Sequence, residues 1–285
     1  MSRRSGDGTT KGGATIDAVG VVGLGKVGGT VAEAFRKVGV DVIGVDPYLG
    51  VGSAADVGRA SVVFVCVPTP AADDRSLDVS AVWKAIADIE PDVAASTIIA
   101  VKSTVPPGTS DELAAEYRHL DFASVPEFLV ARAPMETFAR PDRVVIGARS
   151  RSTAQTLGAL MRLVAPTALV VAVSPTEAEL IKLCSNAMLA AKVSMANELA
   201  LICEAFGVAW TVVEAGMGAD TRIGPSHLSV NPERGFSGGC LPKDLDGLIE
   251  ASRRAGHPAT LLYQLARFNR AVRIPNVSAT FGAEE

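Results

Sequence analysis

The chain has 285 residues, 48% of them hydrophobic and 20% charged, with 27 Lys and Arg against 31 Asp and Glu. That length suits one large domain or two ordinary ones, and that balance excludes global disorder. A formal charge of -4 without a long basic block excludes nucleic acid as a partner.

Residues 1–15 are polar and read as a flexible tail, with no signal-peptide core before the first apolar run, so a cytoplasmic location is expected. No stretch reaches the roughly 18 apolar residues of a membrane span. The four cysteines, Cys66, Cys184, Cys203 and Cys240, lack CxxC or Cys/His spacing, so free thiols and no metal site are expected.

From residue 18 to 148, "AVGVV", "VDVIGVD", "SVVFVCVP", "TIIAVKST", "FASVPE" and "RVVIGA" alternate with amphipathic segments. This pattern predicts an α/β fold: a Rossmann-type, doubly wound parallel sheet with helices on both faces. The run Gly23, Leu24, Gly25, Lys26, Val27 and Gly28 follows the first strand and opens a helix. Gly23 allows a tight turn, Gly25 lets backbone approach a pyrophosphate, and Gly28 lets helix and strand pack closely. Asp46 ends the second strand at the distance where a carboxylate meets adenosine ribose hydroxyls, with no basic residue nearby for a 2′-phosphate, which favours NAD. Asp46 would also suit the start of the turn "DPY". Three later strands end in "CVPTP", "KSTVPPGT" and "VPEF", which gathers Thr69, Ser103, Thr104 and Glu127 at one sheet edge. Ligands of open parallel sheets bind at that edge.

After the strand "ALVVAV", Ser174, Pro175 and Glu177 form a capping-box signature, and Gly207 is a natural stop. They bound a helix of about thirty residues, apolar on most sides and therefore expected to be buried between domains or subunits. Lys182 and Asn186 share a face of it. Lys182 would serve equally as a snorkelling surface lysine. Cys66, Cys184 and Cys203 fall within apolar elements, where cysteine acts as a small hydrophobe. Cys240 instead stands in "GFSGGCLPKD", open to a ligand, with Lys243 or Lys182 available to favour a thiolate and Asp244 to order water or accept a proton. The expected division is a dinucleotide-binding domain over 16–173 and a smaller, all-helical domain over 174–285, which carries dimerisation and the Cys240 loop.

These pieces, "GLGKVG", "VPTP", "KSTVPPGT", "PEFL", "PDRVVIG", "EAELIKLCSNAMLAAK", "RIG" and "GGCLPKD", resemble the UDP-glucose/GDP-mannose dehydrogenase family in the family's order, from about residue 16 to 270. The resemblance implies a double use of NAD, alcohol to aldehyde and then to carboxylate through a cysteine thioester. It implies Cys240 as nucleophile, Lys182 and Asn186 as stabilisers of negative charge on the substrate oxygen, Asp244 with a water for the proton, and Glu127 and Thr104 for hydrolysis. Cofactor contacts would come from the glycine run, Asp46, Val67, Pro68, Thr69, Ser103, Thr104 and Lys243. Substrate contacts would come from Glu127, Phe128, Leu129, Lys182, Asn186, Phe236 and Gly238, and from Arg222 across the interface of a homodimer.

The chain departs from the family pattern in four ways. The family's third α/β domain, which grips the nucleotide, does not follow before Glu285. Val130 and Ala131 replace an often charged pair, Ser237 takes a glycine position, and Gly239 precedes the cysteine. The expected substrate is therefore a sugar, sugar nucleotide or nucleoside. Two other functions fit the same residues: a two-electron dehydrogenase, or a non-catalytic NAD-binding subunit completed by a partner chain.

Overall fold

The computed structural model describes residues 18–129 and 133–273; the N-terminal tail and the positions Val130 and Ala131 lie outside them. The chain divides into two compact units, one of residues up to Pro70 with Asp78–Lys182, the other of Ala71–Leu77 with the chain from Leu183 onward.

In the first unit the elements run β1 (Val19–Val22), α1 (Lys26–Lys37), β2 (Val42–Val45), a 3-10 turn (Ala54–Arg59), β3 (Val62–Val65), α2 (Ser80–Ile89), β4 (Ile98–Val101) and α3 (Thr109–Glu116). They continue through β5 (Asp121–Ser124), α4 (Pro134–Ala139), β6 (Arg143–Ala148), α5 (Arg151–Val164) and β7 (Leu169–Val173). The strands form one sheet in the order β2-β1-β3-β4-β5-β6-β7. Period-two alternation divides their side chains between two cores. Val19, Val21, Val62, Phe64 and Ile146 pack with Phe35 of α1 and Leu157 and Leu160 of α5. Val22, Val63, Val65, Ile99 and Val101 pack with Val82, Ile86 and Ile89 of α2 and Leu113 of α3. A sheet apolar on both faces requires this double covering.

The doubly wound sheet agrees with the sequence reading, with one difference. β6 pairs antiparallel with β5, Ala123 facing Ala148, and β7 is parallel to β6. The hydrophobic alternation of "RVVIGA" is the same in either direction, so the reversal leaves no local trace.

The helix α6 spans Pro175–Ala205. Its start is the expected box: Ser174 N and Oγ each donate to Glu177 Oε2 at 2.7 Å. At its end Gly207 has φ 68°, and Val208 N and Gly207 N return to the carbonyls of Cys203 and Glu204, a Schellman stop. The second unit continues through α7 (Trp210–Gly218), α8 (Leu241–Arg254) and α9 (Thr260–Val272). Leu183, Ala187 and Ala190 of α6 pack there with Leu245 and Leu248 of α8, Ala266 of α9, Phe236 and Leu77. Leu77 arrives on the hairpin Ala71–Leu77, closed by a bridge between its ends. Gly247 receives it, since a Cβ there would stand 2.7 Å from Leu77 Cγ.

The other face of α6 is open. Met188, Met195, Ile202 and Phe206 are 67%, 56%, 46% and 80% exposed, and Cys184 is exposed with them, contrary to its expected role as a core hydrophobe.

Candidate active site

The first constellation surrounds the loop between β1 and α1. Gly23 has φ 86°, and a Cβ there would stand 2.7 Å from the Cys66 carbonyl oxygen; one on Gly28 would stand 1.8 Å from the Gly23 carbonyl oxygen. Both glycines are therefore required by packing. Gly25 differs: a Cβ on it would meet nothing within 4 Å, and as N-cap of α1 it offers no side-chain cap. The first amides of α1, at Lys26 and Val27, are thus left for an anion.

Asp46 closes over this loop from β2. Its Oδ2 accepts from Leu24 N at 2.7 Å, while Oδ1 accepts from Tyr48 N at 3.0 Å and Leu49 N at 3.2 Å. The carboxylate thus holds the turn "DPY", as one reading of Asp46 expected, and also fixes the glycine loop through Leu24.

The ends of β3 and β4 are tied together. Thr69 Oγ1 donates to the Thr104 carbonyl at 2.7 Å, and Ser103 Oγ donates to the Val67 carbonyl at 2.7 Å. Both hydroxyls are engaged with backbone. They shape the Val67–Pro68–Thr69 and Ser103–Thr104 turns.

Beyond β5, Glu127 meets Lys102, a residue that the sequence reading passed over. Lys102 is only 3% exposed, and its Nζ lies 2.8 Å from Glu127 Oε2, off the axis of a directed hydrogen bond. It also approaches the Val125 carbonyl at 3.3 Å and the Phe138 ring at 5.4 Å. Glu127 Oε1 accepts from Phe128 N at 2.7 Å. A lysine closing the apolar run "TIIAVK" was the available signal, because a buried ammonium demands a partner. Lys182 Nζ stands 5.2 Å from the Phe128 ring centre, and the Arg143 guanidinium stands 4.5 Å from it. Leu129 packs on the core. Cys66 is buried nearby, and desolvation pushes its thiol up to about 12 despite Lys102, which makes it inert.

The second constellation lies in the other unit. Cys240 is exposed and is the N-cap of α8, with Pro242 in the first turn. One turn on, Asp244 is 1% exposed. Its Oδ2 accepts from Asn186 Nδ2 at 2.6 Å, and its Oδ1 accepts from Lys243 Nζ at 2.6 Å. Asn186, Lys243 and Asp244 are therefore one group, and Cys240 stands at the positive end of the same helix. Gly238, at φ 84°, has open space where a Cβ would be. Phe236 is buried, its peptide clamped by Asn269, which accepts from Phe236 N at 2.7 Å and donates to its carbonyl at 3.0 Å. Its ring belongs to the core of this unit. Arg222 stands apart from these groups, with an 87% exposed side chain held by Asp220 at 2.6 Å.

Among the described residues no helix is long and apolar enough to cross a membrane. The sheet order and the glycine loop define a dinucleotide-binding α/β fold. Residues 51–164 match the NAD-binding domain of the UDP-glucose/GDP-mannose dehydrogenase family, and residues 176–271 match its central domain. The UDP-glucose 6-dehydrogenase AglM of Haloferax volcanii is 31% identical over 289 residues, covering 85% of this chain and 67% of its own. The UDP-glucose 6-dehydrogenase YwqF of Bacillus subtilis is 34% identical over 75% of this chain and 49% of its own, so this chain spans about half the length of that relative. The structure of a UDP-glucose dehydrogenase from Pyrobaculum islandicum superposes with a TM-score of 0.85 at 31% identity, over 93% of this chain and 70% of that one. The chain belongs to the UDP-glucose/GDP-mannose dehydrogenase family. NAD is its cofactor, and the open Gly25, the uncapped start of α1 and Asp46 fit it.

Proposed function

We propose that this chain carries an NAD-dependent, four-electron oxidation of a primary alcohol on a sugar-containing substrate to a carboxylate, with Cys240 as nucleophile. The observation that supports this best is the exposed Cys240 thiol at the start of α8, one turn before the buried Asp244 with its partners Asn186 and Lys243. The names of its relatives make UDP-glucose the first substrate to try.

When bound, NAD accepts the hydride that leaves the substrate carbon in each of the two oxidations. Lys182 offers positive charge to the substrate oxygen as its proton departs, and Asn186 Nδ2 keeps a second N–H beyond the one given to Asp244. Asp244, with an ordered water, takes the alcohol proton. Cys240 Sγ then adds to the aldehyde carbon while the carbonyl oxygen gains a proton, forming a thiohemiacetal. Departure of the second hydride and of that hydroxyl proton leaves a thioester on Cys240. Water attacks the thioester carbon, the C–S bond breaks, and the thiol is restored as the carboxylate leaves. Glu127 assists that water by taking its proton, and Thr104 helps to hold it. Lys102 Nζ, 2.8 Å from Glu127 Oε2, supplies the opposite charge that a buried acid needs.

The exposed apolar stripe of α6 supports a homodimer in which two copies cover it and Arg222 reaches the partner's substrate. Light scattering checks this: Met195→Glu should yield monomers, and a variant that stays dimeric would refute the stripe as the interface. For the chemistry, the decisive measurement is NADH formed per product with UDP-glucose. Wild type should give two NADH per carboxylate. Cys240→Ser should lose the second oxidation by at least about a thousand-fold while the first persists. One NADH per aldehyde from wild type, unchanged in Cys240→Ser, would move the chain to two-electron chemistry.

A further inference from the structure

Glu179 has none of the roles above. It lies on α6 one turn before Lys182 and is 2% exposed. Its oxygens accept from Gly108 N at 2.6 Å and Ser110 N at 2.9 Å, the amides that open α3. Earlier on α6, Thr176 Oγ1 donates to Asp111 Oδ2 at 2.8 Å. Arg149 Nε donates to Asp111 Oδ1, also at 2.8 Å. The start of α6 is therefore fastened to the start of α3 by two side chains.

α3 directly continues the Ser103–Gly108 turn, which Ser103 and Thr69 fasten to the end of β3. In the order β2-β1-β3-β4 the ends of β1 and β2 receive pyrophosphate and adenosine, so the ends of β3 and β4 face the nicotinamide. These contacts run from Glu179 to the nicotinamide end and include neither Asp46 nor the glycine loop.

We propose that Glu179 is a positioning residue: its carboxylate holds the Ser103–Gly108 turn against the part of α6 that precedes Lys182, and so sets the nicotinamide end of the cofactor crevice alone. The inference rests on the NAD reading of the first unit. Burial pushes Glu179 up to about 7, with Ser110 and Gly108 pulling the other way and Asp111 adding to the rise. The charged groups that face it are Asp111 on α3 and, bound to Asp111, Arg149 ahead of α5. An ionised carboxylate accepts from both amides, whereas a protonated one turns a donor toward them and gives up one bond. The grip on nicotinamide therefore tightens as pH rises through this range.

The test compares NADH with ADP-ribose, which keeps the adenosine and diphosphate and lacks nicotinamide, by fluorescence titration and competition. At about pH 8, Glu179→Gln should weaken NADH about five-fold or more and leave ADP-ribose unchanged. In wild type the preference for NADH over ADP-ribose should grow from about pH 6 to about pH 8, and in Glu179→Gln it should stay flat. Equal weakening of both ligands, or a pH-independent preference in wild type, would overturn the proposal. Should the variant not fold, the wild-type series decides by itself. Wild type that binds neither ligand would instead remove the cofactor reading, and this inference with it.

Discussion

Two glycine-rich runs in this molecule each lead into a helix, and they are built on opposite grounds. In the run before α1, Gly23 and Gly28 are demanded by backbone that would collide with any Cβ, and Gly25 alone faces open space. In the run before α8, Gly238 and Gly239 both face open space, and only Gly235, whose Cβ would stand 2.4 Å from Asn269 Oδ1, is held by packing. The first is a packed turn with one opening at a helix start. The second is an open turn that displays a thiol. The contrast teaches that a glycine run marks a ligand site only where the missing Cβ leaves space rather than relieving a collision.

Substitutions can break that contrast in order of size. Gly28→Ala should be the most damaging, costing about 5 kcal/mol or preventing folding, because its new Cβ cannot occupy the position of the Gly23 carbonyl. Soluble yield and urea denaturation measure it, and a native-like melt would show that the turn yields. Next comes the buried ion pair of Lys102 and Glu127. Lys102→Met strands the Glu127 carboxylate in a buried setting and should cost about 3 to 4 kcal/mol, much of it recovered in the double variant with Glu127→Gln.

Glu179 supplies a smaller, pH-gated effect. Its folded value, about 7, lies above the ordinary 4.5, so the protonated form stabilises the fold. That stabilisation is complete below about pH 4.5 and is lost as pH rises through about 7, some 3 kcal/mol in all. Denaturation midpoints of wild type relative to Glu179→Gln should fall across that window; a constant difference would contradict it. Together with the NADH prediction, this makes the ionised latch a feature kept at the expense of stability. The smallest stability effects sharpen the contrast itself. Gly25→Ala and Gly239→Ala should each change stability by less than about 0.5 kcal/mol, while Gly25→Ala raises the Kd for NADH about ten-fold.

Much of the fold was legible because it is written locally. Each β-branched run became a strand, Ser174 with Glu177 announced the start of α6, and Gly207 ended it. Gly23, Gly25, Gly28 and Asp46 were legible as a unit because spacing and context agreed, and Asp244 with Asn186 came together as a buried pair. What escaped depends on distant chain. Lys102 finds Glu127 in a different strand connection, and Glu179 finds Gly108 about seventy residues away. Neither spacing has a period, so no local pattern could connect them. The direction of β6 escaped for a related reason, since alternation is blind to polarity. The stripe of α6 was legible as apolar but its cover was not, because an isolated chain shows which residues are apolar and not what covers them.

The hairpin Ala71–Leu77 also affects the order in which the molecule can be finished. Leu77 belongs to a core whose remaining residues begin at Leu183, so during synthesis its plug emerges more than a hundred residues before the notch at Gly247 that receives it. The chain leaves the first unit at Pro70, returns at Asp78 and leaves again after Lys182. A fragment cut out from Leu183 onward would carry the notch without the plug, an apolar hollow open to water. The second unit is therefore not heritable as one contiguous segment. A gene rearrangement that moved it would need to carry two pieces of sequence, or would have to refill the space that Leu77 occupies.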